Sequence, residues 1–184
     1  MPGPVTFAPT AVKTSLNWSQ VSMTTSKKQP KFAVLIFLAA LSVLPLNMFI
    51  PSLPHIADAL SSNYAVVNLA IAGYALMSAL THVVAGVLSD RFGRRPVALM
   101  ALCIFCGASL ICSFAPNIGT FLVFRTLQGV VVACYAVSMA SIRDTSDERE
   151  ATSRIAVVSS AWALAPMLGP AIGGTLDVLF GWRA

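Results

Sequence analysis

Charge is scarce in this sequence. Asp, Glu, Lys and Arg together make up 10% of its 184 residues, against roughly a quarter in a soluble globular domain, and that argues against a chain folded in water. Histidine occurs only twice. No Ser/His/Asp arrangement, metal-spaced His/Cys/acid cluster or phosphate-cradling glycine loop can be assembled, so nothing supports an enzyme, a bound metal or a cofactor. The four cysteines (Cys103, Cys106, Cys112 and Cys134) all lie in apolar sequence. Cys103 and Cys106 spell C-x-x-C, but no basic neighbour favours a thiolate there, and small apolar packing is the plainer reading. No run alternates apolar and polar residues as a membrane barrel strand must.

What is present is long apolar sequence. Hydrophobic residues make up 57% of the chain, and the runs reach the roughly 20 residues that cross a bilayer as a helix. They predict an all-α integral membrane protein with five transmembrane helices near 32–53, 65–88, 96–115, 118–141 and 155–180. Their connections are short, so consecutive helices are antiparallel neighbours. The lipid bilayer is the first partner this implies.

Lys and Arg set the orientation. Lys13, Lys27, Lys28 and Lys31 precede the first run; Arg91, Arg94 and Arg95 follow the second; Arg143, Arg149 and Arg154 follow the fourth. The other connections, "PHIADALSSNY" and "APNIG", carry none, and Arg183 alone falls on the opposite side. This predicts a cytoplasmic amino terminus and makes the net charge of +5 a matter of topology, with no call for nucleic acid. Residues 1–31 read as a disordered cytoplasmic tail, without the apolar core of a signal peptide. Translation from Met23 in place of Met1 is an open alternative.

Three stretches carry more than topology. "GVLSDRFGRRPV" (86–97) packs Asp90, Arg91, Arg94 and Arg95 between two apolar runs, with Gly93 free to reverse the chain and Pro96 suited to the first turn of the next helix. A positive-inside anchor explains the arginines, but neither the Asp nor the glycines at 86 and 93. In "LVFRTLQGVVVA" (122–133), Arg125, Gln128 and Gly129 share one helix face. Arg125 either serves a function inside the membrane or snorkels to its edge, and Asp177 is a candidate partner for it. In "ALAPMLGPAIGGTL" (163–176), Ala165, Gly169 and Gly173 repeat every four residues as a smooth packing face, while Pro166 and Pro170 should bend the helix.

Together these resemble the major facilitator superfamily of secondary transporters. Gly86, Leu88, Asp90, Arg91, Gly93, Arg94 and Arg95 match its signature loop between helices 2 and 3, which latches the two halves of the transporter; Arg143 is a candidate partner for Asp90. Arg125, Gln128 and Gly129 match a helix-4 motif tied to proton coupling or substrate contact. Gly169, Pro170, Gly173 and Gly174 match the helix-5 antiporter motif, with Ala165 where the longer pattern begins with Gly. "LNMFIPSLPHI" (46–56) looks like a stretch of the bicyclomycin- and chloramphenicol-resistance exporters, except that Asn47 replaces their acid, and Asn cannot bind and release a proton. "RD" at 143–144 and "GWRA" at 181–184 also fit that branch.

The resemblance covers residues 32–184 and implies part of the N-terminal half of such a fold in a bacterial inner membrane. It implies efflux of drug-like small molecules by proton antiport, with a second half or another chain needed for transport. Two alternatives stand beside it: a metabolite or sugar transporter of the same superfamily, and a short membrane protein associating with itself through Ala165, Gly169 and Gly173. His82, Tyr74, Met77, Trp162 and Met167 could line a binding wall, but ordinary packing accounts for each of them.

Overall fold

The computed structural model describes residues 31–183. Residues 1–30, with the tail and the Met23 start read from the sequence, lie outside the described residues. Within them are five helices long and apolar enough to cross a membrane: span 1 (Phe32–Ala59), span 2 (Tyr64–Phe92), span 3 (Arg94–Ser113), span 4 (Ile118–Thr145) and span 5 (Glu148–Phe180). No strand occurs among the described residues.

The ends of these helices follow from local chemistry. Asn63 accepts a hydrogen bond from the Ala65 amide (2.9 Å) and Asn117 accepts one from Thr120 (2.8 Å), which caps spans 2 and 4. Glu148 and Glu150 begin span 5, where carboxylates favour the positive end of the helix dipole. Gly93 (φ 93°) and Gly181 (φ 83°) terminate spans 2 and 5 in a backbone region that glycine adopts freely.

Several boundaries extend beyond the sequence expectation, with span 1 running on to Ala59 and span 4 to Thr145. Span 2 continues through the charged stretch to Phe92, leaving Gly93 as the one residue between it and span 3. Polar side chains do not break a helix once its end projects into the headgroup region, so hydropathy stops short. Span 5 likewise begins at Glu148 rather than near 155, because its first turns are polar. It remains helical through Pro166 and Pro170.

Span 4 is the most enclosed helix, touching spans 1, 2, 3 and 5, and the others surround it with apolar side chains turned outward. At one end Leu35, Ala39, Ile142, Ala151 and Val158 form a core between spans 1, 4 and 5. At the other, Phe49, Leu53, Ile56, Val67, Cys112 and Phe121 close the bundle, with Trp182 packed edge-on to Phe121.

The closest packing joins spans 1 and 5. A Cβ at Gly169 would meet Asn47, and one at Gly173 would overlap the Met48 backbone. The small-residue face therefore has an occupant within the chain. Self-association through Ala165, Gly169 and Gly173 is corrected accordingly: span 1 already covers that surface.

Candidate functional site: a buried guanidinium and a cavity

Span 4 changes from α-helix to a 3₁₀ turn at Gln128–Val132. Gly129 lies within that turn and brings its backbone so near span 2 that a Cβ would stand 2.7 Å from the Tyr74 carbonyl oxygen. One turn earlier, Arg125 is buried, only 6% exposed. It does not snorkel. One guanidinium nitrogen donates to Gln128 Oε1, and another donates to the Pro45 carbonyl (2.8 Å). Gln128 in turn donates to Ser109 Oγ (2.9 Å), which draws span 3 into the network. The guanidinium lies 4.2 Å over the Phe49 ring and 5.4 Å from that of Tyr74, a favourable place for a cation.

Among the described residues Arg125 has no carboxylate partner. Its Nε is buried without a hydrogen bond. A desolvated cation held only by neutral groups is energetically costly in a membrane and marks a place where an anion or a polar ligand is favoured.

The guanidinium opens on a cavity of about 310 Å³, which Arg125, Gln128, Ser109, Phe49, Asp177 and Arg183 help to line. Asp177 shares the cavity but is not bonded to Arg125, so that pairing is corrected. Its Oδ2 lies 2.6 Å from Nδ1 of His55, at the far end of span 1. His55 and Asp177 are 122 residues apart, and the sequence offers no spacing that joins them. The available signal was coarser: an unpaired histidine and an acid on the same predicted side of the membrane. Asn47 does not reach the cavity; its amide donates to the Val43 carbonyl of its own helix (2.9 Å) at the seam with Gly169.

At the opposite, arginine-bearing end, Arg94 bonds Asp90 one turn earlier (2.6 Å) and Asp144 at the end of span 4 (3.0 Å). Arg143 is exposed and makes no ion pair among the described residues, so its pairing with Asp90 is corrected: Asp144, its neighbour, crosses to Arg94 instead. Arg91 and Arg95 are exposed. A Cβ at Gly86 would meet nothing within 4 Å. His82 bonds the Ser78 carbonyl of its own helix and stands edge-on to Tyr135, which packs on Trp162.

Residues 35–184 match the Major Facilitator Superfamily domain. The chain belongs to that superfamily. It is 32% identical over 140 residues to a multidrug resistance protein MdtL of Klebsiella pneumoniae subsp. pneumoniae, covering 76% of this chain and 36% of that protein. A protein of the same name from Salmonella typhimurium is 34% identical over the same length, with 35% of it covered. The chain thus spans about a third of the length of the curated relatives it matches.

Proposed function

We propose that this chain forms part of a drug exporter of the bicyclomycin- and chloramphenicol-resistance type in a bacterial inner membrane. It works there by exchanging protons for drug-like small molecules. The arginine-bearing end faces the cytoplasm, as the Lys and Arg distribution favours, and the end carrying His55 and Asp177 faces outward. Further polypeptide, continuous with this chain or separate from it, supplies the rest of the pathway.

The observation that carries this reading is Arg125: a guanidinium buried without a counter-charge among the described residues, lining a cavity that is open toward one end of the bundle. An alternating-access site needs a polar group that trades partners as the pathway opens, and neutral partners release Arg125 more readily than a carboxylate would. Resemblance to multidrug resistance proteins supports the drug class. The Asp90–Arg94–Asp144 cluster is the proposed latch. It is exposed, and pairs of this kind contribute about 0–1 kcal/mol, enough to bias two states without freezing one.

The test is ethidium efflux from bacteria lacking their own exporters and expressing the complete reading frame of the source gene. Arg125→Ala should reduce efflux by about tenfold, the equivalent of about 1.4 kcal/mol. Efflux that is absent from the parent protein, or undiminished in the variant, overturns the assignment.

A further inference from the structure

Asn47 cannot exchange a proton, which leaves the proposed antiport without an acid at that position of span 1; the acid that span 1 does carry, Asp58, is exposed. Of the chain's acidic residues, Asp177 is the buried one: its side chain is 5% exposed and lines the cavity that Arg125 enters. The side chain of His55, its partner, is 61% exposed at the end of the bundle. One member of the pair therefore meets the surrounding water and the other meets the cavity.

We propose that His55 and Asp177 form the proton-exchanging pair of this chain, carrying out from span 5 the task that Asn47 cannot perform in span 1. The inference rests on the antiport reading above and names its proton site.

The chemistry is that of an imidazole bridging water and a carboxylate. An ionised carboxylate only accepts hydrogen bonds, so His55 presents Nδ1–H to Asp177 Oδ2 across 2.6 Å. A proton arriving from water binds Nε2. The Nδ1 proton then passes to Oδ2, leaving a neutral imidazole with its hydrogen on Nε2 and a neutral carboxyl facing the cavity. Charge and protons balance, and the reverse sequence returns the proton to water. An imidazole suits this passage because it has two ring nitrogens, one to meet water and one to meet the carboxylate.

The groups around the pair favour a switch with consequences. Across the cavity stand Arg125 from span 4, Cys112 from span 3 and Arg183 beyond span 5, while exposed Asp58 lies one turn along span 1 from His55. Arg125 and Arg183 are the cations, and neither is within ion-pair distance of Asp177 among the described residues. Neutralising Asp177 removes the cavity's carboxylate while the guanidinium remains. It also weakens the His55–Asp177 tie between the outer ends of spans 1 and 5. Proton uptake would thus alter both the field at Arg125 and the grip of the outer end.

The experiment is infrared difference spectroscopy of the purified full chain in lipid vesicles, taken through a pH titration. A protonated-carboxyl band should appear as pH falls, vanish in Asp177→Asn and persist in Asp177→Glu. His55→Ala, a change at a side chain that is 61% exposed, should displace the pH at which the band appears, because it removes the partner 2.6 Å from Asp177 Oδ2. A band unaffected by Asp177→Asn, or unmoved in His55→Ala, overturns the proposal. Ethidium efflux is measured separately on the complete reading frame. An intact Asp177 band without efflux supports the proton site while counting against the transport reading, so the two failures are distinguishable.

Discussion

Glycines in this bundle divide by what a methyl group would meet. At Gly173 it meets the backbone of Met48, which cannot turn aside, whereas at Gly174 the nearest atom is Pro51 Cβ at 3.8 Å, an ordinary contact. Gly173→Ala should therefore lower stability in detergent by roughly 1–3 kcal/mol, and Gly174→Ala should change it by less than about 0.5 kcal/mol. Thermal unfolding followed by circular dichroism separates the two, and equal losses would contradict the packing described. Gly86 extends the comparison. Its surroundings within this chain are open, so Gly86→Ala should leave stability intact. If Gly86 serves the proposed latch by admitting further polypeptide, the same change lowers efflux from the complete protein. The four-residue repeat already set Gly169 and Gly173 apart from Gly174, and the contacts with span 1 show what that face meets.

Among the elements, span 4 has the most exacting geometry. Its 3₁₀ turn at Gln128–Val132 directs the Arg125–Gln128 face toward spans 1 and 3, and Gly129 presses on Tyr74, Met77 and Ser78 of span 2. Gly129→Val must push span 2 away. It should cost roughly 1–3 kcal/mol and disturb the Arg125 network, lowering the unfolding temperature together with ethidium efflux. Efflux lost at an unchanged unfolding temperature would place the role of Gly129 in transport alone. The Asp90–Arg94–Asp144 cluster joins spans 2, 3 and 4 at the surface and should behave oppositely. Arg94→Gln is expected to change stability by no more than about 1 kcal/mol, and less at high salt where such pairs are screened. Unfolding at two ionic strengths checks this, and a large, salt-insensitive loss would show that Arg94 holds the bundle together. Helix existence at this scale was legible from hydropathy alone, because about twenty apolar residues have few other uses. Helix ends at Phe92 and Glu148 were not, since polar turns continue a helix beyond the membrane without any apolar signal.

For the molecule as a whole, orientation is the property that everything else depends on. In intact cells a membrane-impermeant maleimide should label His55→Cys and leave Arg95→Cys unlabelled until the membrane is opened, after the native thiols Cys103, Cys106, Cys112 and Cys134 are replaced by Ala. The reverse pattern would invert the topology and place the proposed proton site in the cytoplasm. The bundle also presents broad apolar surface: Val83, Phe114 and Val178 are each more than three-quarters exposed, as helices surrounded by lipid require.

Composition and run length were enough to predict five helices long and apolar enough to cross a membrane, while the superfamily was pointed to by the resemblance of the motifs at 86–97, 122–133 and 163–176. Such properties are local: a helix in lipid satisfies its backbone within itself, so twenty apolar residues are a sufficient instruction. The motif residues Arg125, Gln128 and Gly129 were legible for the same reason, being neighbours on one turn. Partners were another matter. That Arg125 stacks on Phe49 and bonds Pro45, that Asp177 meets His55 and not Arg125, and that Arg94 takes Asp144 were decided by the tertiary structure. Each depends on the depth and rotation of one helix against another. Those are set by side-chain packing between residues 50 to 122 positions apart, and no short-range pattern in the chain encodes them.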